Sequence, residues 1–281
     1  MSAALLAALA GAVLYGSGTV LQALAARRAA GPRVLRHPWY LAGLGCDLLG
    51  WLASLVALRA LPLFTVQALL AGSLVVTVLL ARVMLDAPLR RVDRVAVVVV
   101  VGALVVLARA AGSQSPVRAL PDGFTATVLA VLGLLAGVSV VCYRRGPGWL
   151  FALLAALGAS GAAICARAVT LPAGAGTGEL VRAVAVEPLA WAVAAFGLLM
   201  TVAYARALER AGVGATAAVM AVVEVVVPAT VGLMVLHDSV RAGWPVAAVL
   251  AAVLALAACV ALAASPATTA TGHVPAAHAE A

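Results

Sequence analysis

Glu224 is the only ionisable residue in the apolar run 214–236, and it lies near the middle of that run. A helix of this length, rising ~1.5 Å per residue, crosses the ~30 Å hydrocarbon layer of a bilayer. Its carboxyl would sit close to the midplane, where a charged side chain costs on the order of 2.5–3.5 kcal/mol to insert. Pro228 follows four residues later. Proline has no N–H, so the carbonyl one turn back, that of Glu224 itself, loses its helical donor. A carboxylate beside a freed C=O forms an oxygen cluster at the depth where transporters hold substrates and coupling ions. The plainer reading is a proline kink, with Glu224 satisfying a neighbouring polar group.

Asp47 is the only other carboxylate near the centre of an apolar run, and Trp51 lies one turn beyond it. Tyr15, Gln22, Trp51, Gln67 and Tyr204 are the remaining side chains that would line a cavity with these acids. For each of the five, ordinary hydrogen bonding or packing between helices is the simpler reading. A single buried carboxylate suffices to take up a proton on one face and release it on the other, so Glu224 alone would support proton coupling. Magnesium demands six oxygens in octahedral geometry and sheds water reluctantly. Asp47, Glu224 with its carbonyl, Gln22 and Gln67 would meet that demand only by converging, so a metal role for Asp47 and Glu224 depends on the fold. No nucleophile and base pairing, HExxH sequence or intramembrane histidine cluster is present. Neither an enzyme nor a cofactor is expected.

The elements that must position these residues follow from composition. Of 281 residues, 65% are hydrophobic and only 10% are charged, against about 25% charged in soluble domains. The chain reads as an all-α integral membrane protein. Its formal charge of +8 comes from 18 basic residues, all arginine, clustered between apolar runs. They act as topology signals, which removes the case for nucleic acid. Cys46, Cys142, Cys165 and Cys259 lie inside apolar runs without metal-ligand spacing and read as small buried hydrophobes.

Breaking the apolar runs at arginine, proline and glycine clusters gives about nine spans: 2–26, 40–58, 63–84, 95–111, 123–143, 149–169, 189–207, 214–236 and 244–264. With the N-terminus outside, one side collects Arg27, Arg28, Arg33, Arg36, Arg82, Arg90, Arg91, Arg94, Arg144, Arg145, Arg206 and Arg210. The other collects Arg59, Arg109, Arg118, Arg167, Arg182 and Arg241. The positive-inside bias makes the richer side cytoplasmic, placing the N-terminus out and the C-terminus in. Trp39, Trp149, Trp191 and Trp244 mark helix starts as interfacial residues, and Arg167 reads as snorkelling to the outer interface. Residues 112–122 and 170–188 form external loops too small for a folded domain, and the tail 265–281, with His273 and His278, reads as disordered.

Two stretches resemble each other. ALRALPLFTVQALLAGSLVVTVLLARVMLDAPLR (57–90) and ALERAGVGATAAVMAVVEVVVPATVGLMVLHDSVR (207–241) both open Ala-Leu, run apolar for one span and leave through an aspartate turn, Asp86 or Asp238. They are five crossings apart, so the second copy runs through the membrane in the opposite direction. Inverted-topology repeats of this kind are a common construction of secondary transporters. Residues 1–111 make a first unit of four helices, and residues 123–264 a second unit of five.

This pattern resembles the drug/metabolite transporter (EamA-like) superfamily. The likeness rests on LLARVMLDAPLRRVDRVAVVVVVGALVVLA and VVEVVVPATVGLMVLHDSVRAGWPVAAVLAAVLALAACVALA. The superfamily's Gly-Glu turn is replaced by Leu85-Asp86 and His237-Asp238, which the resemblance casts as turn and cap residues. Nine helices with a short first unit, and Trp39, Gly43 and Gly50, are closest to the layout of NIPA-like magnesium transporters. Where that family has Gly-Glu in the second helix this chain has Gly50-Trp51, and Gln67-Ala68-Leu69 stands for its Pro-Leu-Gly. Asp47 would then replace the missing acid. The resemblance implies a secondary transporter of a small solute, working by alternating access in the plasma membrane with proton or cation coupling. A divalent-cation transporter and a non-transporting membrane scaffold are the alternatives. The expected partners are the lipid bilayer and a small-molecule or cation substrate, with a homodimer left open.

Overall fold

A computed structural model describes residues 2–28, 36–110, 120–169, 177–236 and 238–272. These form twelve helices: α1 (Ser2–Arg28), α2 (Pro38–Leu58), α3 (Leu63–Ala71), α4 (Ser73–Met84), α5 (Arg91–Ala110), α6 (Phe124–Cys142), α7 (Gly148–Ala168), α8 (Thr177–Val186), α9 (Pro188–Ala211), α10 (Val213–Met234), α11 (Pro245–Ala263) and α12 (Pro266–Gly272). Three of the long helices begin with proline as their first residue, α2, α9 and α11. Proline loses nothing at that position, because the first-turn N–H has no intrahelical partner. Among the described residues, eight helical stretches are long and apolar enough to cross a membrane, with α3 and α4 counted as one. The protein is an all-α, multi-pass membrane protein.

The span expected at 63–84 is broken at Gly72, where the Gly72 N–H bonds Leu69 O at 3.1 Å and Val75 N–H bonds Gly72 O at 3.0 Å. A Cβ on Gly72 would lie 2.7 Å from Leu104 of α5, so the bare backbone is what lets α5 come this close. Helix α5 is not one of the eight apolar stretches. It has 20 residues, but Arg91, Asp93 and Arg94 occupy its first turns and Arg109 its last.

Hydrogen bonds gather the helix ends into two sets. At one end Arg27, closing α1, donates to Leu85 O after α4 and to Ala270 O of α12, both at 3.2 Å. Across this same end the bend between α6 and α7 is held by Arg206 and Arg210 of α9. Arg206 donates to Tyr143 O at 2.7 Å, and Arg210 to Arg144 O at 2.6 Å and to Gly146 O. At the opposite end Asp238 meets the start of α3 and the finish of α7, and Arg241 N–H bonds Ala110 O at the finish of α5 at 3.0 Å. Helix α5 therefore runs from one set to the other, alongside α11.

Packing is paired. Helix α1 lies against α2 and α4, and α7 against α9 and α10; α3 meets α10, and α5 meets α11. Among the described residues helix α6 packs chiefly against α7 and α9, and most of its length faces outward.

Three expectations need correcting. The tail is not disordered from 265: Ser265 accepts the Thr268 N–H at 3.2 Å and caps α12, whose Ala267 and Thr268 are buried. Its remainder, 273–281 with both histidines, lies outside the described residues, as do His237, Arg33 and Arg118. Loop 170–188 contains α8, with 170–176 undescribed. Arg167 does not snorkel outward. It is buried, and its Nη2 lies 3.6 Å from Asp238 Oδ1. A guanidinium that finds a carboxylate within the protein has no need to reach the interface.

Candidate functional site

Glu224 is the twelfth of the 22 residues of α10, Asp47 the tenth of 21 in α2, and Tyr15 the fourteenth of 27 in α1. All three stand at mid-helix. Their helices are brought together by missing side chains. A Cβ on Gly43 would lie 2.8 Å from Gly18 O, and one on Gly11 would lie 3.3 Å from Gly50 O, so α1 and α2 touch backbone to backbone. A Cβ on Gly18 would collide with Asp47 Oδ1. The glycine therefore makes the room that Asp47 occupies, and Gln22 Nε2 donates to Asp47 Oδ2 at 2.5 Å from one turn further along α1. Tyr15 packs its ring against Gly50 and sits beside the Ser54 hydroxyl.

On the other side, a Cβ on Gly158 would come 2.9 Å from Met200 N and one on Gly161 would meet the Phe196 ring at 2.5 Å, which seats α9 on α7. Ser160, between them, donates to Ala156 O at 2.8 Å and reaches Val223 O of α10 at 3.4 Å. This fixes α10 beside α7 one residue before Glu224. Pro228 is buried in α10, one turn after Glu224.

Tyr15 and Tyr204 both lie within electrostatic reach of both Asp47 and Glu224. These four groups come from four different helices, α1, α9, α2 and α10. Glu224 is half-buried as a residue, but its Oε1 is sealed from solvent and has no hydrogen-bond partner among the described residues. Neither Asp47 nor Glu224 is in an ion pair between described residues; those pairs are Arg167–Asp238 and Arg206–Glu209.

Of the expected site residues, Glu224, Asp47, Gln22, Tyr15 and Tyr204 come together. Gln67 is half-buried on α3 and makes no hydrogen bond among the described residues. Trp51 is 41% exposed, so it does not fill core volume as one reading of it held. The glycine pairs, Ser54 and Ser160 were not singled out as site residues, since a small residue in an apolar run carries no signal of what it will face. Among the described residues no group of three or more histidine, cysteine or acidic side chains converges as a metal-binding set would.

What the fold and site define is a multi-pass helical bundle with two carboxyls, Asp47 and Glu224, near the middle of their helices. No protein-family model matches the chain, and no curated protein or solved structure matches it either.

Proposed function

We propose that this protein is a secondary transporter of a small solute, coupled to protons through Glu224 with Asp47 as its partner. The observation that carries the reading is the sealed, unpaired Glu224 Oε1 at the middle of α10. A lone buried carboxyl is costly in a bilayer and is retained where something binds to it. A proton would neutralise it when the site is open to one side of the membrane, and release or exchange would follow when it opens to the other. Pro228 gives the adjoining backbone a free carbonyl and a point at which α10 can bend.

The paired packing supports two inverted repeats, with nine crossings when α5 is counted. Pairing α1 with α7, α2 with α9, α3 and α4 with α10, and α5 with α11 makes the contacts of one half mirror those of the other. Helix α3 then meets its own counterpart in α10, and α5 its own in α11. Helices α4 and α10 also finish alike, through Ala87 N–H to Ala81 O at 3.3 Å and Asp238 N–H to Gly232 O at 2.8 Å. Helix α6 is the unmatched one. Tyr15 and Asp47 then come from one half and Tyr204 and Glu224 from the other, as in a site at a repeat interface. On this reading the Arg27 end is cytoplasmic, the N-terminus is outside, and the plasma membrane is the host. On this reading the chain resembles the drug/metabolite transporter superfamily.

Reconstitution tests the proposal. Liposomes containing the protein and a lumenal pH dye are challenged with a panel of amines, amino acids and sugars. At least one solute drives proton movement, and Glu224→Gln abolishes it. Magnesium uptake indifferent to every organic solute would favour a divalent-cation transporter instead, and the absence of any flux would favour a scaffold.

A further inference from the structure

The two ends of the bundle are packed differently. At the Asp238 end one continuous core joins both halves: Ala8 of α1, Leu58 of α2, Leu63 of α3, Ile164 of α7 and Leu236 after α10 belong to a single cluster. At the Arg27 end α1 and α4 pack in one cluster while Phe151 of α7 and Ala203 of α9 pack in another, and only α10, through Ala221 on one side and Val219 on the other, borders both. One core therefore joins the two halves at the Asp238 end, whereas at the Arg27 end they pack as separate clusters.

Asp238 sits beside the joining core. Its Oδ2 accepts the Leu63 N–H at 2.6 Å, and its Oδ1 faces Arg167. Its side chain is 2% exposed and that of Arg167 is 7% exposed. A Cβ on Gly232 would stand 2.8 Å from Asp238 Oδ2, so glycine is what lets the carboxylate tuck beneath α10. One carboxylate thus joins α7 and the α10–α11 turn to the first turn of α3, where the free N–H groups favour negative charge. The aspartate of the other repeat joins nothing in this way, since Asp86 is exposed, in a left-handed turn with φ 51°.

We propose that Asp238 is a latch that holds the Asp238 end shut, and that opening of this end requires its bond to the start of α3 to break. The inference rests on the transport reading. Its consequence is local, because a buried pair that loses one partner leaves an uncompensated charge and destabilises the closed arrangement.

Ser54 is a reporter, since it is buried on α2 between Asp47 and the core residue Leu58. The full chain, with Cys46, Cys142, Cys165 and Cys259 changed to alanine, carries Ser54→Cys and is treated in intact cells with a membrane-impermeant trimethylammonium methanethiosulfonate. Labelling from outside is slow in this background, and Asp238→Asn raises its rate about tenfold or more. Asp86→Asn leaves it unchanged. Arg167→Gln, which keeps the bond to Leu63, raises it less, and serves if Asp238→Asn does not fold. An unchanged rate in a folded Asp238 or Arg167 variant, or an equal rise with Asp86→Asn, overturns the latch. The flux assay on Glu224→Gln is independent of this result, so loss of coupling and loss of the latch are told apart.

Discussion

At the scale of single residues, the site depends on two carboxyls that have different surroundings. Asp47 is held by Gln22 and by the space at Gly18, whereas Glu224 Oε1 has no hydrogen-bond partner among the described residues. Under the proposed function Glu224 is the group that binds, and Asp47 the group that tunes the field around it. Asp47→Asn should lower proton-coupled flux by about tenfold, a smaller loss than that of Glu224→Gln, in the same liposome assay. Gly18→Ala should displace Asp47 by forcing a methyl into its carboxylate. The expected cost is about 1–3 kcal/mol of overpacking, read as a lower melting temperature in detergent together with reduced flux. Both carboxyls were legible in the sequence, because an acid inside a long apolar run stands out. Gln22 was legible only as one polar residue among several, and its pairing with Asp47 25 positions away was not. Arg167 was misread for the same reason, since its partner Asp238 lies far along the chain in the turn after α10.

At the scale of elements, apolar runs located the long helices to within a few residues, since a bilayer demands uninterrupted hydrophobic length. What they did not disclose was local. The break at Gly72 depends on the approach of Leu104, and α12 depends on a cap. Ser265-Pro266 is a helix-start signature, a side-chain acceptor followed by a proline at the first helical position, but it is set in a low-complexity tail. Because Ala267 and Thr268 are buried and Arg27 bonds Ala270 O, α12 helps to hold α1 in place at the Arg27 end. A chain ending at Ala264 should melt several degrees lower in detergent, the effect expected of losing about 1–2 kcal/mol. An unchanged melting temperature would show that α12 carries no stability.

For the whole molecule, twofold pairing and alternate access predict orientation as well as mechanism. A cysteine replacing Ser2 should react from outside intact cells with an impermeant maleimide, and one replacing Thr271 should not. The reverse pattern would invert the topology drawn from arginine counts. The proposed repeat rests in sequence on two apolar stretches ending in aspartate. The pairing of α3 with α10 and of α5 with α11 was not legible, because it joins segments far apart in the chain. The account turns on Glu224 as the coupling group, and proton movement in liposomes tests it most directly. A solute that drives protons with the native chain should drive none with Glu224→Gln. Equal proton movement with that variant, reconstituted to the same density, would contradict the account.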